Sequence, residues 1–138
     1  MGVKFSTRNL GELRTEITHT PSGTVIETDA PTDNRGKGSR FSPTDLASAS
    51  LASCMLTTME IVMQKDGVDL HLTGARAAVE KIMSTEGPRR IERIVVALDM
   101  PPGVDPAHRP RLERIAHTCP VALSLNPNIQ LDVTFNWA

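Results

Sequence analysis

The chain has two cysteines, and each occupies a position where a thiol could react. Cys54 lies in an apolar helical run, and Cys119 directly precedes a proline that is typical of a helix start. A single buried cysteine usually serves as a small hydrophobic residue. Two of them, 65 positions apart on either side of a strand-forming segment, predict a thiol pair that the fold brings together.

Ionisation decides whether such a thiol reacts, because the thiolate is the nucleophile. Cys119, at a helix N-terminus, is expected to gain thiolate character from the helix dipole. Cys54, inside a helix, gains no such help and would need a cation, for which Arg14 and Arg40 are the candidates. The alternative, that both cysteines are unreactive core residues, stays open at this point.

Histidine offers a second kind of chemistry. A cysteine hydrolase would use an imidazole near the thiol as its base, and His19 or His117 could supply it. Structural zinc sites take four ligands with paired short spacings, which this sequence lacks, so we expect no metal and no cofactor. The segment 36–39 lacks the full phosphate-loop spacing and predicts a surface loop. The four histidines are His19, His71, His108 and His117.

Composition narrows the classes of partner. The 138 residues are enough for one domain with its own core. Fifteen basic and 16 acidic residues leave no positive surplus, so we expect no nucleic-acid partner. The start of the chain lacks an apolar signal region, and no run approaches a membrane span. We therefore expect a cytoplasmic protein with no membrane association, where a cysteine pair is more often redox-active than structural.

The first half of the chain predicts strands followed by one long helix. Residues 1–30 have an extended pattern with a hairpin turn at 21–23, and a polar loop follows over 30–40. Ser42, Pro43 and Asp45 form a capping signature, so a helix is predicted over 42–66, with Gly67 as its stop. That helix carries almost no charge, which predicts burial on nearly every face.

The second half predicts strands over 70–100, helices over 110–125 and a closing strand over 128–137. Strict alternation of apolar and polar residues makes the closing strand the clearest of these. The whole is an α+β domain spanning 1–138. One small sheet cannot cover so apolar a helix, and a homodimer that buries it against its twin is the simplest solution.

Two cysteine blocks carry a family resemblance. FSPTDLASASLASCMLTTM (41–59) and HTCPVALSLNP (117–127) together resemble the OsmC/Ohr family of thiol peroxidases and osmotically inducible stress proteins. Residues 28–46, 81–96 and the closing strand fit its OsmC-like branch. The resemblance extends from about residue 11 to the end of the chain.

The resemblance implies a fold and an activity. The fold is an antiparallel sheet wrapped around a long central helix, in an intertwined homodimer with active sites at the subunit interface. The implied enzyme is a cysteine-based peroxidase that reduces organic hydroperoxides, and hydrogen peroxide as a further substrate. Cys54 would form a sulfenic acid, Cys119 would resolve it as a disulfide, and a dithiol reductant such as a lipoyl protein would restore both thiols.

The implied activating residues are Arg14 and Asp45. Arg14 would stabilise the thiolate, and Asp45 would orient that arginine. The organic-hydroperoxide branch has a glutamate ten residues before its first cysteine, where this chain has Thr44. Asp45 lies about 13 Å along a continuous helix from Cys54, so a link between them would need a break in the helix or a bridging arginine. The alternative function is a non-catalytic stress-response or small-ligand-binding protein.

Overall fold

The structure, a computed structural model, describes all 138 residues. Its contacts group the chain into two compact units, Met1–Ala47 and Ser48–Ala138. The predicted α+β class is confirmed, and the single domain over 1–138 stays a prediction. The elements in chain order are β1 (Phe5–Gly11), β2 (Arg14–His19), β3 (Val25–Asp29), a 3-10 turn (Thr32–Asn34), α1 (Pro43–Lys65), β4 (Arg76–Met83), β5 (Ile91–Asp99), a 3-10 turn (Pro106–His108), α2 (Arg109–His117), α3 (Pro120–Ser124) and β6 (Gln130–Asn136).

The amino-terminal unit contains a three-stranded antiparallel sheet in the order β1-β2-β3. Strands β2 and β3 form the predicted hairpin, and its turn contains Gly23 with a φ of +73°, which glycine adopts without steric conflict. All seven residues of β1 are exposed, and Phe5 is 65% exposed. A single chain therefore leaves apolar side chains of this sheet in solvent.

Helix α1 begins where the sequence predicts. The Asp45 N–H donates to the Ser42 hydroxyl at 3.1 Å, and the Ser42 N–H donates to the Asp45 carboxylate at 2.9 Å. These reciprocal bonds form a capping box, which satisfies amides that lack a partner in the first helical turn. Pro43 needs no such partner, because proline has no N–H.

The end of α1 is closed by a Schellman motif. The Val68 N–H donates to the Met63 carbonyl at 3.0 Å, and the Gly67 N–H donates to the Gln64 carbonyl at 3.0 Å. Gly67 has a φ of +81°, the left-handed conformation that the motif requires. The predicted stop is confirmed, with the helix ending at Lys65, one residue earlier than expected.

One face of α1 packs into the core. Leu51, Met55, Met59 and Met63 are spaced four residues apart and have no exposed surface. Other faces are half-buried or exposed, and Ile61 is 51% exposed. A single chain thus buries one face of α1, and burial of the other faces in a homodimer stays a prediction.

By length and composition alone, α1 could also cross a membrane, whereas the sequence analysis expected no such run. Within its most apolar 18-residue window, 33% of the residues are buried. A single helix of this kind is weak support for a membrane span, because core helices of soluble proteins share its length and composition.

Glu60 is the one charged residue in the apolar body of α1. Its carboxylate accepts a hydrogen bond from the Leu72 N–H at 2.8 Å, and the Gln64 side-chain amide donates to the Leu70 carbonyl at 2.8 Å. These bonds hold the chain beside the helix after it ends. The next strand, β4, consequently begins at Arg76 rather than near residue 70 as predicted.

The second unit contains a mixed sheet in the order β4-β5-β6. β4 and β5 are antiparallel, but β5 and β6 are parallel, so the expected all-antiparallel sheet is wrong at β6. A parallel pair needs a long crossover connection instead of a tight turn, and α2 and α3 lie in that connection. Ile94, Val96 and Leu98 of β5 are fully buried.

The two connecting helices close the core of this unit. Leu112 and Ala116 of α2 have no exposed surface. Cys119, between α2 and α3, belongs to the same buried cluster, and Cys54 of α1 packs against it. The core of the second unit therefore contains one cysteine and touches the other.

Candidate active site

Cys54 lies near the middle of α1 and is partly buried. Its sulfur is 3.5 Å from the Thr58 hydroxyl oxygen, one turn further along the helix. The amide of Val121 also favours the charged form of this sulfur and so lowers the pKa of Cys54. Val121 is the second residue of α3, where amides lack partners within the helix. Cys54 thus receives the help from a helix terminus that the sequence analysis expected for Cys119 alone.

Cys119 is the N-cap residue of α3 and is fully buried. Its sulfur accepts a hydrogen bond from the Ala122 N–H at 3.5 Å. Pro120 occupies the first helical position, as predicted. The thiol therefore takes the capping place usually filled by the oxygen of a serine or aspartate.

The two sulfur atoms are close enough to affect each other's ionisation, and both thiols are free. One comes from the body of a long helix and the other from the start of a short one. Thiol–disulfide chemistry requires this direct access of one sulfur to another. The catalytic roles of the two residues stay predictions.

Opposing influences act on the pKa of Cys54. Burial is the largest and raises the pKa, because it disfavours the charged sulfur. Hydrogen bonds from the Val121 N–H, the Thr58 hydroxyl and the Cys119 thiol favour the thiolate and together outweigh burial. The pKa of Cys54 is therefore lower than that of an ordinary cysteine, and hydrogen bonds are the cause of this shift.

At Cys119, the effect of burial on the pKa outweighs that of the hydrogen bonds. Burial raises the pKa of this thiol, the Ala122 N–H lowers it, and the neighbouring Cys54 sulfur raises it further. The expected thiolate at Cys119 is therefore wrong, because the amides of Ala122 and Val121, in a five-residue helix, do not offset full burial. The pair consists of an easily ionised Cys54 and a protonated Cys119.

In the amino-terminal unit, Arg14 and Arg40 share one carboxylate, that of Glu27. Arg14 Nη2 lies 2.9 Å from Glu27 Oε1, and Arg40 Nε lies 3.7 Å from Glu27 Oε2. Arg14 Nε is buried and has no hydrogen-bond partner, which is unfavourable for a donor. The Arg14 guanidinium therefore keeps one donor for a further partner.

Asp45 and Asp29 of this unit have structural partners. The Asp45 carboxylate accepts the Ser42 amide in the capping box, and its orientation of Arg14 stays a prediction. Asp29 is buried and accepts hydrogen bonds from the Ser39 hydroxyl at 2.6 Å and the Ser39 N–H at 3.0 Å. These bonds lower the pKa of Asp29 and fix the loop just before Arg40.

The two histidines considered as hydrolase bases have other contacts. His19 Nδ1 lies 2.6 Å from the Ser22 hydroxyl oxygen. The His117 ring meets the Phe135 ring edge-on, with 6.1 Å between centroids. No group of three or more His, Cys, Asp or Glu side chains in the chain could hold a metal ion.

Three groups near the predicted site residues were not predicted from the sequence: the Val121 amide, the Thr58 hydroxyl and the Glu27 carboxylate. Thr58 could have been found, because residues four apart share a helix face. The Val121 amide belongs to a predicted helix start, but its contact with Cys54 is tertiary. Nothing in the local sequence marks Glu27 as the partner of two arginines.

The fold and the paired thiols define a small α+β protein with two cysteines of unequal ionisation. The family model described as OsmC-like protein matches residues 36–134, which is more than half of the chain. The chain therefore belongs to the OsmC-like family. No curated protein matches it significantly.

Solved structures of the family have the same fold. A proposed osmotic stress induced and detoxification response protein from Psychrobacter arcticus 273-4 is 39% identical, with a TM-score of 0.87 over 99% of this chain and 98% of that one. The organic hydroperoxide resistance protein OsmC from Legionella pneumophila is 14% identical, with a TM-score of 0.76 over 99% and 97%. OhrB of Bacillus subtilis is 16% identical, with a TM-score of 0.71 over 99% and 98%.

Proposed function

We propose that this protein is a thiol-dependent peroxidase that reduces organic hydroperoxides, with hydrogen peroxide as a further substrate. The observation that carries the proposal is a pair of free thiols that influence each other's ionisation, of which Cys54 ionises more readily. The Legionella and Bacillus proteins of the same fold are named for organic hydroperoxide resistance, which supports this choice of substrate.

In the first step, the Cys54 thiolate attacks the terminal oxygen of the hydroperoxide. A sulfur–oxygen bond forms as the oxygen–oxygen bond breaks, so sulfur is oxidised by two electrons and the peroxide is reduced. The alkoxide leaves and takes a proton from water to become an alcohol. Cys54 is then a sulfenic acid, which condenses readily with a neighbouring thiol.

In the second step, the Cys119 sulfur attacks the Cys54 sulfur. A disulfide forms, and the hydroxyl of the sulfenic acid leaves as water with the proton of Cys119. An external dithiol, such as a lipoyl group on a protein, then reduces this disulfide by exchange and is itself oxidised to a disulfide. Cys119 thereby protects Cys54 from irreversible oxidation.

The surroundings of the reaction complete the proposal. Arg14 stabilises the thiolate, and its orienting carboxylate is Asp45 or Glu27, with which Arg14 is paired. Two copies of the chain form an intertwined homodimer with sites at the interface. The reaction takes place in the cytoplasm, where reducing conditions keep both thiols free between turnovers.

Thiol counting tests the proposal directly. Reduced protein is mixed with cumene hydroperoxide, and free thiols are counted over time in the wild type and in Cys54→Ser. The wild type should lose both thiols within seconds to minutes, because attack at Cys54 commits Cys119 to the disulfide. The variant should keep its single thiol over the same period.

A Cys119→Ser variant is the matched control. It should lose one thiol and accumulate a sulfenic acid that dimedone traps, because attack persists without resolution. Wild-type thiols that survive hours in millimolar peroxide would contradict the proposal. So would equal thiol loss in Cys54→Ser.

A second candidate function is a non-catalytic stress-response or small-ligand-binding protein. The observation that favours it is Thr44, which stands where the hydroperoxide branch has a glutamate. The Thr44 hydroxyl is 3.2 Å from that of Ser42, but a neutral hydroxyl cannot hold an arginine by charge. Inert thiols in the peroxide experiment would favour this function.

A further inference from the structure

We propose that Thr58 is a positioning residue for the reacting thiol: its hydroxyl donates a hydrogen bond to the Cys54 sulfur and holds that sulfur in its reactive orientation. This inference rests on the proposed function only in taking Cys54 as the reacting thiol. It assigns a role to a side chain that the two-cysteine mechanism leaves unused.

The contact is specific to Thr58. A threonine inside a helix normally turns its hydroxyl back to a carbonyl one turn earlier. The adjacent Thr57 does so, with its hydroxyl 3.0 Å from the Ser53 carbonyl and 3.3 Å from the Cys54 carbonyl. The hydroxyl of Thr58 is instead 3.5 Å from the Cys54 sulfur. Two neighbouring threonines thus use their hydroxyls differently.

The chemistry of the sulfur sets the direction of this bond. A thiolate has no proton to give, so in the reactive form only the hydroxyl can donate. A hydrogen bond to the charged form favours that form, and the Thr58 hydroxyl does lower the pKa of Cys54. Because threonine is stiff at its first side-chain torsion, the bond also limits the directions that the sulfur can take.

The bond adds to the contacts with α3. The amide of Val121 and the thiol of Cys119, both on the α3 side, also favour the charged form of the Cys54 sulfur. Thr58 approaches from α1 itself, so the sulfur is held from two elements. When Cys119 attacks, its own thiol is consumed, whereas the Thr58 hydroxyl stays in place.

The test is the pH profile of Cys54 alkylation by iodoacetamide, read on the Cys54 peptide by mass spectrometry. Thr58→Val keeps the shape and removes the donor. The profile of this variant should move to higher pH, with alkylation rates about two- to threefold slower below the midpoint. Above the midpoint the rates should be equal or faster, because a more basic thiolate is a better nucleophile. No peroxide is involved, so the result is independent of peroxidase activity.

Two variants separate positioning from simple structural support. Thr58→Ser restores the hydroxyl and should return the profile to that of the wild type. Thr57→Val removes the neighbouring hydroxyl, which does not contact the sulfur, and should leave the profile unchanged. If Thr58→Val fails to fold, Thr58→Ala takes its place against Thr58→Ser.

The proposal is overturned if the Thr58→Val profile superimposes on that of the wild type. It is also overturned if the profile of Thr58→Ser shifts as far from the wild type as that of Thr58→Val, since the hydroxyl would then have no effect. An equal displacement in Thr57→Val would show that the effect is a general property of the helix.

Discussion

The two sulfur atoms share a setting but differ in how readily they ionise. Both accept an amide of α3, and each lies beside the other. The difference comes from burial, which is complete at Cys119 and partial at Cys54, and from the extra donor at Cys54. An attacking thiol that ionises more readily than the resolving thiol is an arrangement that lets attack precede disulfide formation.

This difference predicts two separate alkylation profiles in the wild-type protein. Cys54 should react with iodoacetamide at a midpoint pH below that of a cysteine in a short unstructured peptide, because its pKa is lowered. The midpoint pH of Cys119 alkylation should lie above that of the same peptide, because burial raises the pKa of Cys119. Peptide-resolved mass spectrometry measures both.

Removing Cys119 provides the control for this prediction. In Cys119→Ser, a hydroxyl replaces the thiol beside Cys54. The midpoint pH of Cys54 alkylation should still lie below that of the reference peptide, because the Val121 and Thr58 donors remain. A wild-type Cys119 profile that lies below that of Cys54 would contradict the assignment.

The sequence located the two thiols but not their ionisation. Helix-start chemistry pointed to Cys119 as the thiolate, since Pro120 marks an N-terminus that the structure contains. The outcome depends on burial and on an amide from Val121, 67 positions from Cys54. Both are tertiary quantities, which no local pattern records.

At the scale of elements, the ends of α1 were predictable because their signals are local. The capping box uses residues three apart, and the stop uses one glycine with positive φ. The direction of β6 was not predictable in this way. Alternation with period two is the same in parallel and antiparallel strands, so the connection through α2 and α3 decides the direction.

The capping box should contribute measurably to stability. Ser42→Ala removes the side-chain acceptor of the Asp45 amide and should lower the free energy of unfolding by about 1 kcal/mol. Urea unfolding followed by circular dichroism measures the change. Ser53→Ala, an exposed serine within the same helix, should leave stability equal or slightly higher. Equal stability of Ser42→Ala and wild type would contradict a role for the cap.

At the scale of the whole molecule, a single chain leaves much apolar surface uncovered. Phe5, Ile17 and Ile26 line one open cleft of about 410 Å³ on the amino-terminal sheet. Phe5 is 65% exposed and Ile26 44%. Exposed apolar clusters of this kind mark interaction surfaces, which supports the proposed homodimer.

Sedimentation velocity tests this assembly. The wild type should sediment as a dimer, and Phe5→Glu should shift it toward monomer, because a charge would be buried at the interface. Ser6→Glu alters the neighbouring exposed position of β1 on the opposite sheet face and should remain dimeric. A monomeric wild type would contradict the dimer, and a dimeric Phe5→Glu would exclude this sheet face from the interface.

Glu60 has a consequence for the direction of the reacting sulfur. Helix α1 has apolar side chains on most of its sides, so apolar packing alone gives it little preference for one angle of rotation about its axis. The bond from the Leu72 amide to the Glu60 carboxylate selects one angle, because only then is the charge satisfied. Cys54 belongs to the same helix, so Glu60, six residues further along, determines the direction in which the Cys54 sulfur points.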